Sequence, residues 1–312
     1  MNRNFAIAFA PASVGNVAVG FDILGHAFPV LGDRVRAARS TTPGVRIAAV
    51  TGVTAALPLD SAANTAGRAA QSLLASQAPA WGIDLLIEKG IPLGSGLGGS
   101  AASAVAAVVA ANELLDRPLS RAELLPHAVT GEAVASGSRH ADNVAASLFG
   151  GLVLTVGGTA PRCTPVPVPA GIRCVLVHPQ LFLSTRAARE ILKPTVSLAD
   201  LVRQTANLAG FLAGCHSGDL ALIRACFEDV VVEPQRSHLI PGFAEAKRAA
   251  LTNGALGCSI SGAGPSVFAW CEPAQAEAVR VAMCAAFAAH GLPCDHWVAP
   301  VGGDGATILE RG

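Results

Sequence analysis

The stretch Pro92-Leu93-Gly94-Ser95-Gly96-Leu97-Gly98-Gly99-Ser100-Ala101-Ala102 constrains this chain more than any other. Its glycines free the backbone for positive φ and let a ligand approach the main chain closely. The Ala- and Val-rich run that follows, to Asn112, reads as a helix. The first N–H groups of a helix lack intrahelical partners. Loop and helix start together form a set of amide donors, with a dipole that favours anions and phosphate above all. Residues 83–88, IDLLIE, read as a strand, so the order is strand, glycine loop, helix. A tight turn without a ligand is the other reading, and the loop alone leaves both open. The loop is not a Walker A motif, because no lysine follows the glycines, and its spacing does not fit GxGxxG.

The rest of the composition narrows the class. A chain of 312 residues predicts one large or two medium domains. Lys+Arg and Asp+Glu each number 22, so no basic field points to nucleic acid or to an anionic membrane. Gly90 to Asn112 carries no charge, but glycine and serine fill its first half, which argues against a membrane span. The N-terminal apolar run FAIAFA is short and is followed by Pro11, so no cleaved signal is expected. All eight cysteines lie after residue 162 and none forms a CxxC pair. They read as small buried hydrophobes in a reducing compartment, with the cytoplasm as the expected location. The apolar content of 51% would support a homodimer.

Read in order, residues 5–10 predict a strand, and residues 11–25 are too rich in Gly, Pro and polar groups to be regular throughout. Asn16 and Asp22 read there as turn and cap residues, or as ligands for a polar molecule. Residues 34–39 and 45–50 read as a strand pair, and Asn64 as the N-cap of a helix over 65–77. Ser120 and Glu123 predict a capping box for a helix that carries Glu132. Position alone favours a solvated face for Glu132 over a metal ligand. The dense polar segment Ser138 to Asn143 reads as an active-site edge, although His140 by itself reads more readily as a turn histidine.

A Gly- and Pro-rich stretch, 157–171, predicts a domain boundary, giving a first domain over 1–160 and a second over 161–312. The second domain shows strands at 172–178, 256–260, 266–271 and 294–299, with helices between. That order is β-α-β-β-α-β, a ferredoxin-like unit. Its middle strands are joined by a second glycine loop, Ser261 to Ser266.

Three segments, PASVGNVAVGFDILG, PLGSGLGGSAAS and SISGAGPSVFAW, resemble the three motifs of the GHMP small-molecule kinases. Within that family the finer resemblance is to members that phosphorylate homoserine. It rests on Asn16 with Gly20-Phe21-Asp22, on HADNVA (His140 to Ala145) with Gly150-Gly151, and on Ser184-Thr185-Arg186. The resemblance implies a two-domain α+β fold and ATP- and Mg²⁺-dependent phosphorylation of the L-homoserine hydroxyl to O-phospho-L-homoserine, a step toward threonine. It implies that Pro92–Ala102 cradles the phosphates, that Ser100 and Glu132 hold Mg²⁺, and that Asn64 sits beside the adenine. It assigns Asn16, Asp22, His140, Asn143, Arg186 and Arg236 to the amino acid. Those roles make charge sense, because homoserine needs an anion for its ammonium and cations for its carboxylate.

Many relatives use an aspartate base where this chain has Asn143, and an amide cannot accept a proton. The expected mechanism therefore has no protein base: Asn143 and Asn16 hold the hydroxyl, and its proton passes to a phosphate oxygen. Two departures stand out, Gly99 in place of the loop's usual first serine and Val17-Ala18-Val19 in place of a proline turn. The competing expectations are a kinase for a mevalonate-, shikimate- or erythritol-type alcohol, and a non-catalytic sensor of ATP and a metabolite. The position of Asn143 argues against the first. Ser100 and Glu132 argue against the second.

Overall fold

Small residues line the inner face of the first strand: Ala6, Ala8, Ala10 and Ala12 are fully buried, while Phe5, Ile7 and Phe9 are half-buried on the other face. The computed structural model describes residues 3–54, 56–137, 140–157 and 161–312, so Ser138 and Arg139 of the polar segment lie outside the described residues. In chain order the first half contains β1 (Phe5–Gly15), β2 (Leu24–Ser40), β3 (Gly44–Gly52), α1 (Thr65–Gln77), β4 (Gly82–Lys89), α2 (Gly99–Asn112), α3 (Arg121–Ser136), α4 (Asp142–Phe149), β5 (Leu152–Val156) and β6 (Arg162–Val166). The second half contains β7 (Arg173–Pro179), α5 (Thr185–Glu190), α6 (Leu198–Ser217), α7 (Leu220–Cys226), α8 (Glu233–Arg236), α9 (Phe243–Thr252), β8 (Gly257–Ile260), β9 (Val267–Cys271), α10 (Ala276–Ala289), β10 (Cys294–Pro300) and β11 (Thr307–Arg311).

The alanines of β1 face α2, whose residues Ala101 to Asn112 are all buried. A helix buried all round belongs at the centre of a domain. Sheet strands cover one side of it, and α1, α3 and α4 cover the others. Small side chains on both partners let helix and strand approach closely. Asn64 caps α1 by accepting from the amides of Ala66 and Gly67. Ser120 and Glu123 form the expected capping box on α3.

The strands expected at 34–39 and 45–50 exist within β2 and β3, but they do not pair with each other. β4 lies between them, antiparallel to β2 and parallel to β3. The short link between β2 and β3 suggests a direct strand pair. The connection from β3 to β4 runs through α1, which permits a parallel crossover, and the apolar strand with Ile83, Leu85 and Ile87 takes the place with two neighbours.

The second sheet has the order β10-β7-β9-β8 and is antiparallel throughout, the expected ferredoxin-like arrangement. Its faces alternate cleanly. Cys174 and Leu176 of β7 and Phe268 and Trp270 of β9 point into the large core shared with the first unit. Val175, Val177, Val267 and Ala269 point toward α9 and α10. The boundary expected at residues 160/161 falls between β5 and β6, which pair with each other. β11 also returns to the first sheet and pairs with β1. Pairing thus places β6 and β11 with the first sheet rather than with the second domain. All eight cysteines are free thiols. Among the described residues no helix is long and apolar enough to cross a membrane.

Candidate active site

The glycine loop runs from β4 to α2 with Gly94, Gly96 and Gly98 at φ 64°, 75° and 66°. Side chains rarely adopt that region, and at Gly98 a Cβ would also sit 2.2 Å from Ser13 Oγ. The loop's carbonyls are turned toward protein. Gly94 O accepts from the Leu183 amide (3.3 Å), Ser95 O from the Ser266 amide (3.2 Å) and Leu97 O from the Ser13 amide (3.1 Å). Gly96 O accepts from Ser261 Oγ at 2.8 Å. In a trans peptide the carbonyl and the next N–H point in opposite directions. The amides of Ser95, Gly96, Leu97 and Gly98 therefore point away from these partners, and with the start of α2 they make an anion cradle. Donors from both units hold it, because Ser13 lies on β1 while Ser261 and Ser266 belong to the second glycine loop.

Beside the cradle lies a cavity lined by side chains from both units. Asn16, Phe21 and Asp22 come from the turn after β1, Glu132 from α3, and His140, Asp142 and Asn143 from the start of α4. Thr185 and Arg189 come from α5, Arg236 from α8, and Gly262 and Ala263 from the second glycine loop. The turn after β1 is held in a left-handed form, with Asn16, Val17, Ala18 and Asp22 at φ 69°, 43°, 58° and 62°. Val17 is β-branched, so this conformation is strained. Asn16 pins it: its Nδ2 donates to Gly262 O at 2.9 Å, and its Oδ1 accepts from the Asp22 amide at 3.1 Å.

Charge is concentrated on Asp22. Arg189 donates to both of its oxygens, at 3.0 and 2.7 Å. His140 Nδ1 lies 3.3 Å from Asp22 Oδ2. Burial lowers the His140 pKa, the Asp22 charge opposes this, and Arg189 adds to it. The guanidinium groups of Arg189 and Arg236 both lie against the Phe21 ring, at 5.2 and 5.3 Å from its centroid. Arg236 is buried, with Nε donating to Ala188 O and an Nη to Gly262 O. Burial and the neighbouring Arg189 bring its pKa down to about 10, against the pull of Asp22 and Asp229.

Two carboxyls sit deeper. Glu132 hydrogen-bonds Ser100, yet burial pushes its pKa up to about 7, helped by Asp142 and opposed by the Ser100 bond and by Lys89. Asp142 is buried and accepts backbone amides that include those of Asn16 and Asn143. Burial, and next the Asp22 charge, push it up to about 7 as well. Asn143 Oδ1 accepts from Ser13 Oγ at 2.8 Å.

Asn16, Asp22, Glu132, His140, Asn143 and Arg236 thus meet in one cavity, and Ser100 touches it through Glu132. The solvated face favoured for Glu132 by position is not what the fold provides, because α3 turns its carboxyl inward to Ser100. Arg186 is exposed and does not line the cavity. α5 begins at Thr185, so Thr185 and Arg189 share a face at i, i+4, while Arg186 is rotated off it. That spacing was the signal in the sequence for Arg189. Asp142 was also missed, having been read only as the neighbour of Asn143. Asn64 is placed as the cap of α1, with its Nδ2 donating to Pro58 O at 3.0 Å, and it does not line this cavity.

The family model for the GHMP kinases N terminal domain matches residues 64–151, and that for the GHMP kinases C terminal matches 211–289. The chain is 55% identical to the homoserine kinase of Xanthomonas campestris pv. campestris (strain B100), over 97% of this chain and 94% of that one. It is 45% identical to the homoserine kinase of Chlorobium phaeovibrioides, over 96% and 98%. The crystal structure of homoserine kinase from Cytophaga hutchinsonii superposes with a TM-score of 0.95 at 42% identity, covering 99% of this chain and 98% of that one. Mevalonate kinase from L. major, at 16% identity and a TM-score of 0.70, shares the fold.

Proposed function

We infer the reaction from one premise: the chain belongs to the GHMP kinase family, among its homoserine kinases. It phosphorylates the side-chain hydroxyl of L-homoserine with ATP, giving O-phospho-L-homoserine and ADP on the way to threonine. The observation that carries an amino-acid alcohol as acceptor is the pairing of Asp22 with Arg189, beside Arg236, in the cavity next to the cradle. The two partners satisfy each other until a zwitterion enters. The ammonium of homoserine then takes Asp22, and its carboxylate takes Arg189 with Arg236 behind it.

Within this reading Asn143 and Asn16 hold the hydroxyl toward the cradle. No residue need act as base, since a loose phosphoryl transition state asks mainly for position and charge neutralisation. The hydroxyl proton passes to a phosphate oxygen. Ser100 and Glu132 fit Mg²⁺: a hydroxyl and a carboxylate are hard oxygen donors, and the buried charge of Glu132 is costly without a cation. An ion held by Ser100 and Glu132 would supply charge neutralisation at the phosphates. Asn64, as the cap of α1, positions the wall of the adenine site.

A coupled ADP-release assay with Mg-ATP and a panel of L-homoserine, mevalonate and shikimate tests the reading. Turnover with homoserine is expected. Turnover only on an alcohol that is not an amino acid overturns the choice of acceptor, and binding of ATP and homoserine without ADP release marks a sensor.

A further inference from the structure

Lys89 and Asp33 form an ion pair buried on all sides, 2% and 0% exposed, that none of the chemistry above uses. They lie directly behind the glycine loop. Asp33 Oδ1 accepts the amides of Gly90 and Ile91 at 3.0 and 3.3 Å, the two residues that lead into the loop. Lys89 Nζ donates to Gly99 O at 2.8 Å, where the loop ends and α2 begins. It also donates to Ser103 Oγ at 2.8 Å, one helical turn further on, and Ser103 Oγ donates to Asp33 Oδ2 at 2.6 Å. The N-cap of α2 is Gly98, which has no side chain to cap with. The first turn of the helix is therefore held from behind rather than from its end.

We propose that the Lys89–Asp33 pair is the positioning device of the phosphate cradle, clamping the entrance and the exit of the glycine loop to one buried point. With the Gly99 carbonyl held by Lys89, the Ser100 N–H points the opposite way, along with the other cradle amides. Ser100 itself is then fixed relative to Glu132. The pair carries no net charge, so it shapes the cradle and does not attract phosphate. Three of its partners are main-chain groups, which gives rigidity that a run of glycines lacks.

This inference rests on the kinase reading only for its kinetic readout, because nucleotide binding tests it without turnover. The double variant Lys89→Met/Asp33→Asn removes both charges and leaves no lone buried ion. Its fold is checked by circular dichroism and thermal melting. Mg-ADP and L-homoserine affinities are then measured by calorimetry, and KM for each substrate by ADP release. A positioning role predicts that Mg-ADP affinity and the ATP KM worsen by about tenfold or more, with the homoserine values within about twofold. A lowered melting temperature with unchanged nucleotide affinity overturns it, as does an equal loss for both ligands. If the double variant does not fold, Ser103→Ala decides. It removes one bond from each partner, and a loss of about threefold confined to the nucleotide is expected. Unchanged nucleotide affinity in that variant also overturns the proposal. Failure of the wild-type protein to turn over homoserine would sink the kinase reading and leave the calorimetric result standing.

Discussion

Ser13 donates its hydroxyl proton to Asn143 Oδ1 at 2.8 Å, and the Ser13 amide holds the Leu97 carbonyl of the glycine loop. One residue therefore ties the glycine loop to Asn143, the side chain proposed above to hold the acceptor hydroxyl. With Oδ1 engaged and Nδ2 donating to Asp142 Oδ2 at 3.4 Å, Asn143 keeps its second Nδ2 hydrogen for the cavity. Ser13→Ala leaves the amide held only through Asp142, and kcat should fall about tenfold, near the upper end of the roughly 0.5–1.5 kcal/mol a hydrogen bond contributes. Both KM values should change less, and steady-state kinetics checks the split. An unchanged kcat would separate Ser13 from the chemistry.

Neighbouring glycines in the loop should respond differently. Gly98→Ala meets both a left-handed φ and Ser13 Oγ, so it should destabilise by about 1–3 kcal/mol and cut kcat with it. Gly99→Ser has no such φ, and its Cβ would lie 3.1 Å from Ile91 Cγ2 and 3.6 Å from Lys89 Nζ. Its stability should stay within about 1 kcal/mol of the parent, since serine is the better helix former. Urea melts of the two variants test the contrast.

The arginines of α5 give a sharper contrast still. Arg189→Met should raise the homoserine KM by about a hundredfold, the value of a charge-assisted bidentate contact, and leave the ATP KM nearly unchanged. Arg186→Met should alter neither by more than about twofold, as expected for an exposed surface charge. Arg236→Met should follow Arg189 in direction. Equal effects at 186 and 189 would misplace the carboxylate site.

His26 makes stability depend on pH. It is fully buried and neutral, with Nδ1 on Ala27 O and Nε2 accepting from Trp270 Nε1 at 3.3 Å. Burial brings its pKa down from 6.5 to about 4, against the pull of the Ala27 carbonyl. Between those values the unfolded chain binds more protons than the folded one, so stability falls as pH drops from 6.5 toward 4. The window is worth about 3 kcal/mol. His26→Gln, which keeps an acceptor for Trp270, should lose that part of the slope in urea melts at pH 7 and pH 4.5.

Asp142 has the opposite sign. Its folded pKa of about 7 lies above the ordinary 3.8, so between those values the folded state keeps a proton that the unfolded chain has lost, and stability falls as pH rises from 3.8 to 7. Asp142→Asn keeps an acceptor for the amides of Asn16 and Asn143. It should raise the melting temperature at pH 8, by up to a few kcal/mol of stability, while lowering kcat. A lower melting temperature at pH 8 would show that its charge is compensated.

What could be read from the sequence was local. The strands of the second sheet appear near their expected ends because their apolar runs are bounded by Gly and Pro. Asn64, Ser120 and Glu123 cap the helices they were expected to cap, since a cap depends on residues three apart. The placing of β4 between β2 and β3 was not legible, because strand pairing is decided by burial across the whole sheet. Arg189 was displaced by one helical face, which only the starting point of α5 determines. His26 and Lys89 gave no signal, as nothing in their neighbours tells that both will be enclosed. The shared cavity of Asn16, Asp22, His140, Asn143 and Arg236 was legible only through motifs, for no periodicity relates segments so far apart.

The pairing of β11 with β1 has a consequence for how the molecule is made. β1 is synthesised long before β11, and its outer edge waits for a partner until β11 has been made. Until then a bare strand edge lies exposed on an otherwise assembled sheet, open to neighbouring nascent chains. Completion of the first sheet thus waits for β11, and removing residues 307–311 would leave that edge permanently uncovered.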